Sequence, residues 1–482
     1  MQKRSLTVVA LALVAASCSS GTDATESSAD APATTVVVEN GEPGPPASVD
    51  PADLPRGEVR DFGPAPAYPE GDYAPETAAA IDTIFGTGNM PAIFTDEQNA
   101  AIETLGASED PRVTWILMDM LRFAQGATRA INVVDAANEL TGLDVSVNTA
   151  WGDVTDRLIA WDIPAPPEYV QTKQAIYASV LPEWRPLFDD SADTMDWRYV
   201  SWGGVRIDDR PFDGTDEPCN CIPAADNPLT QPAAEADWLD DDDVVFGVVI
   251  NGEARAYPRQ IMEVREMVND TLGGRDFAMP YCTLCGAAQV WFTDDVPNGV
   301  ERPVLRTSGL LSRSNKVMYD VTTFSVFDTF LGTAQTGPLA AIGVELDQHS
   351  VVTSSWADWK AAHPETDVLI EELALGRDFD FRNGRDADGP IFPIGDVDPR
   401  LDVQEDVLGV LKADGTPLAF HVDTALAALE RGETIEVDGI SVIQDGGGIR
   451  AIDADENDLG GHQAFWFAWS QFYEDTELWP GA

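Results

Sequence analysis

The reactive chemistry of this sequence is concentrated in its cysteines. There are five in 482 residues. Cys18 stands near the start. The other four form a Cys-x-Cys, Cys219 and Cys221, and a Cys-x-x-Cys, Cys282 and Cys285. In an oxidising exterior an even number suggests disulfides. Three readings of these four stay open. One is structural bridging between the two pairs, which needs Cα atoms within about 7 Å. Another is thiol redox, in which one thiolate attacks and its neighbour resolves the mixed disulfide. The third is a thiolate metal site built from Cys219, Cys221, Cys282 and Cys285. Cys-x-x-Cys followed by Gly286 resembles a metal knuckle, but Cys-x-Cys makes a poorer second arm. On the redox reading Cys282 and Cys285 are the catalytic pair. Tyr281 is then expected to shape the substrate pocket, with Ser308, Asn315 and Asp320 lining it. No cofactor is expected.

Other candidates carry less. His349, His363, His421 and His462 show no metal-ligand spacing. Asp453-Ala-Asp455-Glu-Asn457 has Asp458 where a calcium loop needs Gly, and Ala464 where it needs a bidentate Glu. Gly446-Gly447-Gly448 lacks the Lys of a phosphate loop. Serines at 308, 312 and 314 have no identifiable base.

The elements that must hold the cysteines fall in order along the chain. Lys3 and Arg4 precede an apolar run from Leu6 to Ala16, too short to span a bilayer. It ends Ala15-Ala16-Ser17-Cys18, a secretory signal with a lipobox-like end over residues 1–18. Cys18 is therefore the expected lipidated residue. Residues 19–72, rich in Ser, Thr, Pro, Asp, Gly and Ala, are expected to form a disordered tether. Residues 73–195 read as helices. Thr95-Asp96-Glu97-Gln98 is a capping box, and apolar residues recur at helical spacing from Ile102 to Phe123. Further helices are expected near 127–141, 150–160 and 167–182.

Beyond residue 196 the pattern turns to strands. Val244–Ile250 runs into Asn251-Gly252, a strong hairpin signal. Val407–Leu411, then Asp414-Gly415, looks like a second copy. Trp356-Ala-Asp-Trp359 and Trp466-Phe-Ala-Trp469 each precede a Thr ten residues after the first Trp. Trp residues three apart share a helix face, which suits core packing. These echoes suggest an internal repeat, with half one over 196–372 and half two over 373–482. The expected fold class is α+β: an N-terminal helical domain followed by a duplicated, β-rich mixed α/β domain.

Composition bounds the partners. Eighty-three acidic and 29 basic side chains leave a formal net charge of -54. Nucleic acid is excluded as a partner, since phosphate binding needs clustered Lys and Arg. A basic docking patch for anionic lipid is excluded likewise. The expected partner is an extracytoplasmic protein or small molecule, and the expected membrane link is the lipid anchor alone.

Several stretches together resemble the bacterial family called domain of unknown function 3179. They are Gly252-Glu-Ala-Arg-Ala-Tyr-Pro258, Val268-Asn-Asp270, Tyr281-Cys-Thr-Leu-Cys-Gly286, Thr307-Ser-Gly-Leu-Leu311, Met318-Tyr-Asp320, Thr336-Gly-Pro-Leu339, and Trp356-Ala-Asp-Trp359 through His363-Pro364. Phe465-Trp-Phe-Ala-Trp469 with Asp475-Thr476-Glu477 resembles the family's usual ending. The family has no established activity, and some members carry selenocysteine within the Cys-x-x-Cys element. That resemblance implies redox chemistry at Cys282 or Cys285. This chain departs from the pattern at Arg265, where His is frequent, and at Phe327-Asp328-Thr329, where a Trp-x-Gln element is usual.

The leading expectation is an extracytoplasmic lipoprotein with a thiol-redox loop. Its rival is a non-enzymatic surface binding or assembly module with structural disulfides. The anchor is testable by itself. Replacing Cys18 with Ala should move the protein from the membrane fraction to the soluble one; a variant still membrane-bound would mean that Cys18 is not the anchor.

Overall fold

The computed structural model describes residues 54–480, apart from 124–126, 189–192, 213–218 and 372–388. The signal segment with Cys18, and the tether as far as residue 53, lie outside the described residues. So does the expected division between the two halves at 372–373.

Residues 54–72 are not a free tether. Leu54 is buried in a core with Leu401, and the Asp402 amide donates to the Pro55 carbonyl at 2.9 Å. Arg60 pairs with Asp156, and the Trp161 indole donates to the Phe62 and Gly63 carbonyls. Proline-rich backbone makes no bonds of its own. Here the body supplies partners, which composition does not reveal.

Six α-helices follow, from Pro75–Phe85 to Tyr169–Val180. The capping box forms as expected: Thr95 Oγ1 accepts from the Gln98 amide, and the Gln98 side chain accepts from Thr95 N. Ile102, Leu105, Ile116 and Leu117 are wholly buried in one core. That core does not stop at the helices. It includes Val200, Leu310, Val317, Tyr319 and Val326 from strands of the following region. Sharing a core costs either part its apolar partner if the two separate, so the helices are a wall of the β-rich region.

Among the described residues the strands form five sheets. Two have the same connections. In one, Val352–Ser355 pairs antiparallel with Val244–Ile250, which pairs antiparallel with Glu253–Pro258, which pairs parallel with Asp367–Ile370. In the other, His462–Phe465, Asp406–Leu411, Pro417–His421 and Glu477–Trp479 repeat that order and those senses. Asn251 and Gly252 close the first hairpin at φ of 51° and 83°, the left-handed values a two-residue turn requires.

Each of these sheets carries a seven-residue helix with the paired tryptophans, Trp356–Ala362 and Trp466–Phe472. The second Trp of each lies flat on a glycine of the neighbouring strand: Trp359 on Gly247, and Trp469 on Gly409. Its indole N–H donates to the threonine ten residues after the first Trp, at 3.1 Å to Thr366 and 2.8 Å to Thr476. The spacing legible in sequence is thus a packing unit: glycine floor, indole slab and hydroxyl anchor. A Cβ at either glycine would overlap the indole. Gly409→Ala should therefore destabilise the protein by about 1–3 kcal/mol, the usual range for overpacking. A denaturant midpoint unchanged from the parent would refute this packing account.

Candidate functional site

Cys282 ends the strand Arg275–Cys282, and the chain reverses so that Cys282 pairs with Ala287. The Cys285 amide donates to the Cys282 carbonyl at 3.2 Å, closing the turn. Gly286 then takes φ 61°, where a Cβ would press on the Phe465 ring at 3.1 Å. Phe465 also donates its amide to the Cys285 carbonyl at 2.8 Å. The thiol turn is therefore pinned by the second Trp-bearing sheet, at the residue just before its Trp466 helix.

The two thiols are free, buried and 2.7 Å apart at Sγ. A second turn delivers their other neighbours. Ser312 pairs with Asn315 across a two-residue reversal whose Arg313 and Ser314 take φ of 46° and 70°. Neither is glycine, so this conformation costs roughly 1–2 kcal/mol per residue. Arg313 holds the turn by donating to the Gln471 carbonyl at 2.9 Å and stacking on the Tyr199 ring. The Ser314 carbonyl thereby sits 3.5 Å from Cys285 Sγ and 3.7 Å from Cys282 Sγ, and Asn315 Oδ1 lies 3.4 Å from Cys285 Sγ.

Cys282 faces a cavity of about 240 Å3 whose lining also includes Glu266, Thr307 and Lys316. Lys316 Nζ donates to Glu266 Oε2 at 2.5 Å and to Thr307 Oγ1 at 3.3 Å, all buried. Glu266 follows the helix Arg259–Arg265 in the left-handed conformation at φ 49°. Its carbonyl accepts from the Tyr281 amide at 3.0 Å, which locks it to the cysteine strand. Ile391 and Phe392 form another wall. Trp151 packs on Phe392, and Arg122 lies over both rings, so the helical part braces that wall. Asp156 accepts from the Ile394 and Gly395 amides at 3.0 and 2.7 Å and completes the brace.

The surroundings separate the two thiols. Burial opposes the Cys282 thiolate, but the Cys285 thiol, the Lys316 charge and the Lys316 backbone amide outweigh it and hold Cys282 below the ordinary thiol range. Burial and the neighbouring Cys282 sulfur push Cys285 well above it. Ionisation is thus favoured at Cys282 and disfavoured at Cys285.

Asn315 is the one expected pocket residue brought to the sulfurs. Tyr281 points to the other face of its strand, into an apolar core against Phe246, because successive strand residues alternate sides. Ser308 donates to the Val317 carbonyl and accepts from the Leu310 amide, bracing a bulge at Gly309. Asp320 accepts from the Val304 and Thr323 amides and holds a distant turn. None of these three lines the cavity.

The remaining cysteines correct two expectations. Cys219 and Cys221 are bonded to each other, so the two pairs are not cross-bridged. The four sulfurs do not gather as a metal site: among the described residues, Asp208, Cys219 and Cys221 are the cluster of three or more potential ligands. Two of those are spent in the disulfide, and the Asp208 carboxylate accepts from Arg210 and the Ala224 amide. That same Asp208–Arg210 pair, with Arg306 bound through both terminal nitrogens to Asp226, ties the disulfide segment to the strand Leu305–Ser312.

Removing the lysine charge tests the electrostatics directly. In Lys316→Gln the Cys282 thiolate loses an opposing charge, so its pKa rises and its reactivity curve moves to higher pH. The rate of alkylation by a small haloacetamide, followed against pH, reads that shift; an unmoved curve contradicts the assignment.

A family model described as a protein of unknown function, DUF3179, matches residues 219–460, which span the disulfide, both thiols, Glu266 and Lys316. No curated protein and no solved structure matches the chain. By that match over half its length, the chain belongs to the DUF3179 family.

Proposed function

We propose that the chain is a thiol oxidoreductase working outside the cytoplasm, tethered through a lipid on Cys18, with Cys282 and Cys285 as its reactive pair. One observation carries this reading. Two free thiols lie 2.7 Å apart, and one of them, Cys282, lines a cavity that also holds a buried lysine–glutamate pair. A closed disulfide needs about 2.05 Å, so a small side-chain rotation forms the bond. Cysteines kept only for packing are inert and gain nothing from a buried charge beside them.

The chemistry follows from the split between the thiols. The Cys282 thiolate attacks one atom, X, of an oxidised partner X–Y. The S–X bond forms, the X–Y bond breaks, and Y leaves with one proton taken from Lys316. Cys285 then attacks Cys282 Sγ, X leaves with the other proton, and the disulfide closes. The partner gains two electrons and two protons; the protein loses them. An external dithiol reverses the change by thiol–disulfide exchange.

The shared connectivity of the two Trp-bearing sheets supports a duplication, in which one copy gained the thiol turn and the other came to anchor it through Phe465. In the corresponding place the second copy has the strand Ile440–Asp445 running into Gly446-Gly447, with no cysteine.

Cys282→Ser and Cys285→Ser should each fold as the parent does and each abolish turnover of a fluorogenic disulfide in the presence of dithiothreitol. If both variants fail to fold, the pair is structural and the chain is better read as a binding module. If both fold and turn over normally, the redox site is elsewhere.

A further inference from the structure

The cavity itself limits what can reach Cys282, and it does so within the redox reading above. Cys282 is 2% exposed. A sulfur this little exposed disfavours approach by a disulfide held in a folded protein. The cavity, at about 240 Å3, is smaller than the roughly 300–1,000 Å3 clefts that take drug-sized ligands. Its walls are Val205, Ile222, Leu284, Leu310, Leu311 and Phe392. A small molecule with an apolar body is what these walls recognise.

Lys316 narrows the class further. Its ammonium has three hydrogens, of which Glu266 and Thr307 take two, and the residue lines the same cavity as Cys282. A thiolate leaving group departs without help, because it is only a weak base. An alkoxide is a far stronger base and needs a proton as the bond breaks. A buried ammonium beside a thiolate therefore favours an oxygen leaving group over a sulfur one.

We infer that the oxidised partner is a small apolar organic hydroperoxide, drawn into the cavity and reduced there by Cys282 and Cys285. The Cys282 thiolate attacks the terminal oxygen of R–O–O–H. The O–O bond breaks, the S–O bond forms, and RO− takes a proton from Lys316 to leave as ROH. The Cys285 thiol attacks the resulting Cys282 sulfenic acid. The disulfide closes and water leaves, carrying the sulfenic oxygen. That water takes the Cys285 proton, and Lys316 regains its own when a dithiol, giving up two protons, reopens the disulfide. In sum, ROOH and two thiols give ROH, water and one disulfide, and a dithiol reductant returns the pair to its starting state.

The test uses the full-length chain, reduced and freed of reductant, then mixed with one equivalent of cumene hydroperoxide, bis(2-hydroxyethyl) disulfide or oxidised insulin. Thiol count and intact mass are read against time. The inference predicts loss of both thiols to cumene hydroperoxide at least a hundredfold faster than to the small disulfide, with no reaction with insulin. Cys285→Ser should halt at a sulfenic acid on Cys282 that dimedone captures. Lys316→Gln should slow the hydroperoxide reaction tenfold or more and the disulfide reaction far less. The parent selectivity stands as a test even if that variant fails to fold. Equal rates with hydroperoxide and disulfide, or rapid reaction with insulin, would overturn the substrate class while leaving the redox reading intact. A folded pair that none of the three oxidises would overturn both.

Discussion

A lysine and a glutamate buried side by side, next to two unbonded thiols, set the terms for the rest of this molecule. Taking two charges out of water costs several kcal/mol per ion, and their attraction repays it only with good geometry. Lys316 and Glu266 have that geometry, with Thr307 as a further acceptor. Apolar side chains of similar volume commonly stabilise a fold as well or better. The pair is therefore best understood by what it does to its neighbours. Its lysine lowers the cost of a thiolate on Cys282, which burial opposes, and its glutamate offsets part of that effect.

Holding four groups in register at that point takes contributions from distant parts of the chain. Three non-glycine residues, Glu266, Arg313 and Ser314, sit in left-handed backbone conformations around the thiols. Strain of this kind persists only where surrounding structure over-determines it. Here the over-determination is visible. Glu266 is bonded through its backbone to Met262 and Tyr281, and Arg313 through its amide to Tyr199 and through its guanidinium to Gln471. Phe465 fixes the thiol turn from the second Trp-bearing sheet, while Asp156 and Arg122 brace the cavity wall from the helices. The helical part and the second sheet hold no reactive group of the site, yet both border it.

The parts of this arrangement that were legible in sequence are those governed by local rules. The capping box at Thr95, the Asn251-Gly252 hairpin and the helix at 150–160 depend on a few adjacent residues. The Cys-x-x-Cys reads as a reactive pair because both sulfurs lie on one turn. What stayed hidden depends on pairing across the fold. Glu266 and Lys316 are fifty residues apart and meet only because the strands Arg275–Cys282 and Asn315–Asp320 come together. A signal was nevertheless present: Lys316 is one of five lysines in a strongly acidic chain, set inside the otherwise apolar Lys316-Val-Met-Tyr319. A lone lysine in a buried strand needs a partner. Tyr281 and Ser308 were misplaced for a simpler reason. Each neighbours a cavity residue in sequence, and strand alternation sends neighbours to opposite faces. The free tether was over-extended because proline-rich composition describes the unfolded tendency of residues 54–72, not the bonding sites that the body offers them.

The central claim is that Cys282 and Cys285 exchange two electrons inside an intact fold. The most direct measurement equilibrates the full-length chain with graded mixtures of reduced and oxidised dithiothreitol, quenches it in acid, and locates alkylated thiols by peptide mass. Near-ultraviolet circular dichroism follows the fold in the same samples. The account predicts that Cys282 and Cys285 lose and regain their thiols together, in one two-electron transition, while the dichroism stays constant. A pair that oxidises only as tertiary structure is lost, or two cysteines that change independently, would contradict it.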